Sequence, residues 1–243
     1  MQRVKAGLFS LTPTAPPDDD GSYLRWHLLD HLPEQFQLPG IQHALRYVAD
    51  GELLAARLAG DGPLRETANL MHYLVGDPVE ETQADFMALG PKLRDAGRFP
   101  HARPSLQVRL LELRSWTAAP RVLVSPEVLP WRPHRGVLLL VEEPASEDTT
   151  AWERWLDDEH HPRLLEQPGV AGAWRFAATS TWALHPRLEG AAQHATVVYL
   201  DDDVLATTAA LRLLVEQRWE AGAVRPLFAG PLRSMIQWEA WPE

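Results

Sequence analysis

The chain has 243 residues and a mass of 27.3 kDa, with 45% hydrophobic and 23% charged residues, no cysteine and a formal net charge of −10. A chain of this size buries enough apolar surface to fold without disulfides or a structural metal. The lack of cysteine excludes disulfides, thiol nucleophiles and cysteine-ligated metals, and a negative charge without basic clusters argues against nucleic-acid binding.

The hydrophobic pattern contains no targeting or membrane-spanning segment. The N-terminus lacks the apolar run of a signal peptide, and no stretch approaches the roughly 18 apolar residues of a membrane span. We therefore expect a cytoplasmic protein with no membrane or nucleic-acid partner. We expect a monomer or a homodimer.

Periodicity and turn residues predict six main elements in the first half of the chain. In chain order these are a strand (4–11), a helix (22–36), two strands (42–48 and 69–75), a helix (79–97) and a strand (105–116).

The second half gives the same order of elements after a proline-rich segment. They are a strand (136–143), a helix (149–167), two strands (170–178 and 194–200), a helix (203–222) and a strand (234–241). We therefore predict an N-terminal unit over 1–118, a linker over 119–135 and a C-terminal unit over 136–243.

An internal repeat supports this division. Residues 26–47 align without gaps on residues 155–176 at a constant offset of 129, with seven identities in 22 positions. The identical pairs are Trp26/Trp155, His31/His160, Pro33/Pro162, Pro39/Pro168, Gly40/Gly169, Ala44/Ala173 and Arg46/Arg175. A weaker echo pairs Tyr73 with Tyr199, each at the end of an apolar run. We expect a duplicated chain.

The order β-α-β-β-α-β is that of a ferredoxin-like unit, whose sheet has helices on one face only. The bare face needs an apolar cover, which the other unit can supply. The predicted fold class is α+β: two tandem ferredoxin-like βαββαβ repeats that pack sheet to sheet as an intramolecular α+β barrel.

The repeated histidines and arginines are the candidate catalytic residues: His160, His31, Arg175 and Arg46. Each His is predicted near the C-terminal end of a helix, where the helix dipole favours the imidazolium and holds the pKa near or above neutrality. On the following strand, alternation places Ala44 and Arg46 under the helices. A His and an Arg around a cavity suit a small acidic, enol-forming or carbonyl-bearing ligand. The alternative for each Arg is a salt bridge to a nearby carboxylate.

Large aromatic residues are concentrated in the second half, which has eight of the ten Trp. We therefore expect the working pocket in the C-terminal half. The candidate substrate-binding residues are Trp155, Trp174, Tyr47, Phe176, His72 and Tyr199.

The repeated motif resembles the EthD-like branch of the dimeric α+β barrel superfamily. The resemblance rests on an aromatic residue, an acidic-His pair, a proline two residues later, Pro-Gly-Val or Pro-Gly-Ile, and Ala-x-Arg-Phe or Ala-x-Arg-Tyr, clearest in WLDDEHHPRLLEQPGVAGAWRF. It implies two paired units, as a homodimer or a fused tandem. In the muconolactone isomerases of this family a catalytic His stands at the position of His31 and His160, whereas their strand tyrosine is replaced here by Ala44 and Ala173.

The resemblance implies several possible activities, because the superfamily contains isomerases, cyclases, lyases, monooxygenases and haem enzymes. We expect a cofactor-independent enzyme that acts on a small cyclic or aromatic metabolite by His-mediated proton transfer. The alternatives are a non-catalytic ligand-binding or stress-related protein, and a haem-dependent or cofactor-free oxygenase. No metal is expected, since Asp157 and His161 lack a third ligand in register.

Overall fold

The computed structural model describes residues 2–14, 20–101, 104–178 and 192–235. The elements of the first half are β1 (Val4–Pro13), α1 (Asp20–Trp26), a π-helical turn (His27–His31), α2 (Leu32–Gln35), β2 (Ile41–Val48), α3 (Gly51–Ala55), β3 (Ala59–Gly60), a 3-10 turn (Gly62–Glu66), β4 (Thr67–Gly76), α4 (Val79–Asp95) and β5 (Gln107–Ala118).

The second half repeats this order after a 3-10 turn at Pro126–Trp131. Its elements are β6 (Gly136–Pro144), α5 (Thr150–Trp155), a π-helical turn (Leu156–His160), α6 (His161–Leu165), β7 (Val170–Ala177), β8 (His194–Leu200), α7 (Val204–Glu220) and β9 (Val224–Met235). Among the described residues, no helix is long and apolar enough to cross a membrane.

The strands form one antiparallel sheet that closes on itself. The order is β2-β4-β1-β5-β7-β8-β6-β9, and β9 pairs with β2 to complete an eight-stranded barrel. The short β3 also pairs with β9. The two halves meet at β5–β7 and β2–β9. Closure satisfies the strand edges that each half would otherwise leave unpaired. The predicted fold, two βαββαβ units packed as a barrel, is confirmed.

Side-chain alternation divides the core into a barrel interior and a layer beneath the helices. On β2, Leu45 and Tyr47 pack into the interior, whereas Ala44 packs with the residues under the first helical segment. The interior also holds large aromatic residues, including Phe9, Trp174, Phe176 and Tyr199. The prediction that Ala44 lies on the helix side of β2 is therefore correct.

The helix predicted over 22–36 contains a π-helical turn, which the sequence analysis did not anticipate. The backbone N–H of Leu32 bonds to the carbonyl of His27, five residues back, and His161 bonds in the same way to Leu156. Pro33 is the second residue after the first turn and has no N–H for the next α-helical bond. The same interruption therefore occurs at the same place in both halves, and π-helical turns are frequent at functional sites.

The Pro-Gly turns place a glycine against the following long helix in each half. A Cβ at Gly40 would collide with Thr82 Oγ1, and one at Gly169 would lie 2.5 Å from Thr207 Oγ1. Gly169 also has φ +85°, whereas Gly40 does not have a positive φ. Glycine is thus required for close packing at both turns and for conformation at the second.

The last strand differs from the prediction. The structure has β9 over Val224–Met235, so the predicted strand at 234–241 overlaps it only at its first two residues, and 236–241 lie outside the described residues. Pro226 and Pro231 disguised this strand, because proline is uncommon in central strands. A register shift lies between Val141 and Glu142 on β6, and Glu142 is the residue that faces Pro226.

Candidate functional site

A cavity of about 390 Å³ lies in the N-terminal half, between the first helical segment, α4 and the sheet. This volume suits a small organic ligand. Eight of the residues that line the cavity have aromatic rings or imidazoles: Tyr23, Trp26, His27, His31, Tyr73, Phe86, Phe99 and His101.

His31 is held in one orientation by a ring stack and a hydrogen-bond chain. The Trp26 indole stacks on the imidazole with ring centroids 4.8 Å apart, and Phe99 meets it edge-on at 4.8 Å. Tyr73 donates its hydroxyl proton to Gln35 Oε1 at 2.5 Å, and Gln35 Nε2 lies 3.1 Å from His31 Nε2. An amide nitrogen can only donate, so His31 Nε2 accepts and the ring proton is on Nδ1.

His31 is neutral at pH 7, contrary to the prediction from the helix dipole. Burial lowers its pKa to about 4, and the charge of Arg46 lowers it further in the same direction. The helix dipole does not raise this pKa, because α2 continues the helix to Gln35 and because His31 is only 7% exposed. In the other half, burial lowers the pKa of His160 to about 3. Both repeated histidines are therefore uncharged.

His27 is a second imidazole in the cavity wall that the repeat did not reveal. Its ring lies 5.1 Å from that of His31, edge to face, and burial holds its pKa well below the usual value. The aligned residue in the other half is Leu156, so no identity marked the position. The spacing of His27 and His31 by four residues on a helix was the available signal.

Arg46 lies on the helix side of β2 and packs against Tyr23, a residue of the cavity wall, without lining the cavity itself. Its guanidinium carbon is 5.4 Å from the centroid of the Tyr23 ring. The residue is 4% exposed, and its Nε and Nη2 have no hydrogen-bond partner in the part of the chain that the structure describes. The structure thus brings His31 and Arg46 into one region, as the sequence analysis predicted for each half.

The aligned pair in the C-terminal half has a different environment. Arg175 forms ion pairs with Glu153, at 3.3 Å, and with Asp157, at 3.2 Å. His160 Nε2 lies 3.0 Å from the Leu214 carbonyl of α7 and donates to it. The salt-bridge alternative is therefore correct for Arg175 but not for Arg46. His160 is held by its hydrogen bond to the backbone of α7.

A buried ion pair occupies the layer between α7 and the sheet in this half. Arg218 donates through Nε and Nη2 to the two carboxylate oxygens of Glu142, at 2.7 and 2.6 Å, and both side chains are fully buried. Thr196 and Trp219 complete the network with further hydrogen bonds.

The 390 Å³ cavity lies in the N-terminal half, whereas the sequence analysis expected the working pocket in the C-terminal half.

Most of the candidate substrate-binding residues lie in the barrel interior, away from this cavity. Tyr47 bonds to His134 Nε2 at 2.8 Å, and the Trp174 indole donates to the Pro126 carbonyl at 3.0 Å. The interior set consists of Tyr47, His72, Trp174, Phe176 and Tyr199, each at most 2% exposed. Trp155 lies outside the barrel with its ring 4.9 Å from that of His160.

The echo between Tyr73 and Tyr199 is out of register by one residue. Ala44 faces Tyr73 across the sheet, but the aligned Ala173 faces Val198. A shift of one residue moves a side chain to the opposite face. Tyr73 therefore lies beneath the helices and lines the cavity, whereas Tyr199 is inside the barrel.

Among the described residues there is no cluster of three His, Asp or Glu side chains arranged to hold a metal ion. Asp157 and His161 do approach each other, at 3.5 Å.

No protein-family model and no curated protein sequence matches the chain. Solved structures resemble it over nearly its whole length. They include an anthrone oxidase-like protein (10% identity, TM-score 0.54, 96% of this chain and 92% of that one). A dye-decolorizing peroxidase from Bacteroides thetaiotaomicron is similar (8% identity, TM-score 0.58, 99% and 95%). So is a variant of DypB from Rhodococcus jostii in complex with heme (11% identity, TM-score 0.54, 98% and 95%).

At these identities the likeness shows the fold alone, which is that of the dimeric α+β barrel. The presence of heme in one similar structure raises the question of whether His31 or His160 fits an axial ligand. Such a ligand needs a free ring nitrogen that faces an open slot. In His31, Nε2 accepts from Gln35, Nδ1 carries the ring proton, and Trp26 covers the ring face. In His160, Nε2 donates to α7, and Nδ1 is buried with no open slot in front of it. Neither residue fits that role.

Proposed function

We propose that this protein is a cofactor-independent enzyme that acts on a small cyclic or aromatic metabolite by proton transfer in the N-terminal cavity, with His31 polarising the substrate and His27 moving the proton. The observation that carries the proposal is a neutral imidazole in the cavity wall, oriented by the Gln35–Tyr73 chain and stacked on Trp26. The reaction is of the isomerase, cyclase or lyase type.

The geometry favours chemistry at carbon next to a carbonyl group. The Nδ1–H of His31 is buried and has no partner among the described residues; once the side chains that cover it give way, it can donate to a substrate oxygen, which makes the adjacent C–H more acidic. His27, also neutral, lies close enough to serve as the second imidazole that accepts the proton and returns it. A proton removed at one carbon and returned at another changes no oxidation state.

The proposal retains His31 and Arg46 from the sequence analysis and gives His160 and Arg175 structural roles. His160 ties the π-helical turn to α7, and Arg175 joins β7 to α5.

We also infer an EthD-like origin by tandem duplication. Its support is the repeat at offset 129 together with α4 and α7, which have 17 residues each at an offset of 125. The cytoplasmic location and the monomeric or dimeric state remain part of this proposal.

Deuterium exchange tests the proposed chemistry. The protein is incubated in D₂O with β-tetralone, anthrone or an unsaturated γ-lactone, and loss of the α-proton signal is followed by ¹H NMR. We expect protein-dependent exchange with at least one compound, abolished in His31→Gln and retained in the matched variant His160→Gln. Exchange no faster than in buffer, or equal loss in the two variants, contradicts the proposal.

One observation favours a second candidate, a ligand-binding protein without catalysis. An imidazole whose pKa is lowered to about 4 is a weak base. In that case saturation-transfer NMR shows that a compound from the same panel binds in the cavity. The compound is released chemically unchanged, and its α-proton does not exchange.

A further inference from the structure

Arg46 and Arg175 occupy matching positions and differ in whether their charge is neutralised. Each lies on the strand after the Pro-Gly turn, at most 4% exposed. Glu153 and Asp157 neutralise Arg175. At the offset of 129, the residues aligned with these carboxylates are Leu24 and Leu28.

The N-terminal half thus contains a buried guanidinium with leucine at the two positions where the other half has carboxylates. A buried charge without a partner is costly, because water no longer solvates it. The described residues that line the adjacent cavity include no Asp or Glu. They do include a second cation, Arg94, which is exposed and lies over the Phe99 ring at 5.6 Å.

The unpaired edge of Arg46 defines the kind of anion that would fit. Nε and Nη2 lie on the same side of a guanidinium, the edge that binds a carboxylate through two parallel hydrogen bonds. Arg218 uses that same edge to bind Glu142 at 2.7 and 2.6 Å. In Arg46 it is the Nε and Nη2 atoms that lack a partner in the described part of the chain.

We propose that the N-terminal cavity takes an aromatic or cyclic carboxylate, and that Arg46 is the residue that recognises its charge. This inference rests on the proposed function and specifies its substrate class. The Tyr23 ring lies on the guanidinium and lines the cavity, so binding requires this ring to turn aside before the carboxylate can reach Arg46. The bound anion also offsets the charge that disfavours the protonated forms of His27 and His31, so binding makes both imidazoles more basic.

Isothermal titration calorimetry with 1-naphthoate and its neutral analogue 1-naphthamide tests this assignment. Wild-type protein is expected to bind the carboxylate at least tenfold more tightly than the amide. Arg46→Met should reduce this ratio to about one, while Arg46→Lys, which keeps the charge without the two-bond edge, should retain part of it.

A second variant tests the assignment without removing Arg46. Leu24→Glu places a carboxylate at the half-buried position aligned with Glu153. This carboxylate should form an internal ion pair with Arg46 and so abolish the preference for naphthoate. Leu29→Glu is the matched control, because it adds the same charge to the same helical segment at the position aligned with Asp158. It should leave the preference unchanged.

Equal affinities for the two probes in the wild type, absence of naphthoate binding, or equal effects of the two glutamate variants would overturn the inference. These results are distinct from failure of the proposed function. A carboxylate preference that depends on Arg46, without proton exchange at any compound, would retain the anion site and remove the catalysis. Proton exchange without a preference for the carboxylate would retain the catalysis and remove the anion site.

Discussion

His72 gives the most direct test of how burial controls the histidines of this protein. It lies in the barrel interior with no exposed surface, stacked on Phe9 with ring centroids 4.3 Å apart. Neither ring nitrogen has a hydrogen-bond partner among the described residues. Burial lowers its pKa to about 3. We predict that His72→Leu makes the stability of the protein less sensitive to acid.

The magnitude follows from linkage between protonation and folding. In the unfolded chain His72 has the ordinary pKa of 6.5 and binds a proton as the pH falls below that value, whereas the folded chain does not until about pH 3. The unfolded state therefore gains protons first, and folding stability is lost as the pH decreases from 6.5 towards 3. At pH 5 this loss is about 2 kcal/mol for one such residue.

The same sign applies to the other buried histidines. Burial lowers the pKa of His31 and His194 to about 4 and that of His160 to about 3. Together with His72 these residues make the wild type lose an amount comparable to the whole stability of a typical domain, about 5–15 kcal/mol, before pH 4.

Urea unfolding of wild type and His72→Leu at pH 8 and pH 5 measures the effect. The decrease in unfolding free energy between the two pH values should be about 2 kcal/mol smaller in the variant. Leu74→Met, at another interior position of β4, is the control and should keep the wild-type pH dependence. An unchanged pH dependence in His72→Leu would refute the assignment of a neutral, strongly shifted His72.

Three further predictions concern single contacts. Glu142→Gln should lower the unfolding free energy by about 3–5 kcal/mol, because it leaves the fully buried Arg218 without its counter-ion; a loss under 1 kcal/mol in urea unfolding would contradict this. Gly169→Ala should cost about 1–2 kcal/mol, since φ is +85° and Thr207 blocks a Cβ, and a Tm equal to that of wild type would show that the turn adapts. Leu24→Glu should raise the Tm by neutralising Arg46, and a lower Tm would indicate that the two groups do not meet.

The fold could be predicted from the sequence because its determinants are local and occur twice. Turn glycines, strand alternation and the offset of 129 gave the order of elements and placed Tyr47 inside the barrel and Arg46 beneath the helices. β9 was missed because Pro226 and Pro231 mask its pattern, although β9 has a register shift at Leu227, next to Pro226.

The site could be predicted only in part. Identity between the halves selected His31 and Arg46, but it also selected His160 and Arg175, whose surroundings differ. The difference lies in positions that do not match, where Leu24 and Leu28 replace two carboxylates and His27 replaces a leucine. A comparison of the unmatched positions would have distinguished the surroundings of His31 and Arg46 from those of His160 and Arg175. The pKa values could not be predicted, because burial by distant parts of the chain outweighs the helix dipole.

The central claim is that the N-terminal cavity, with His31 in its wall, is the functional site. The most direct test is an NMR titration of protein labelled with ¹⁵N-histidine by 1-naphthoate, with ring resonances assigned by single His→Gln variants. The account predicts saturable shifts of the His27 and His31 ring nitrogens and none at His160 or His194. Shifts confined to His160 and His194 would place the site in the other half and contradict it.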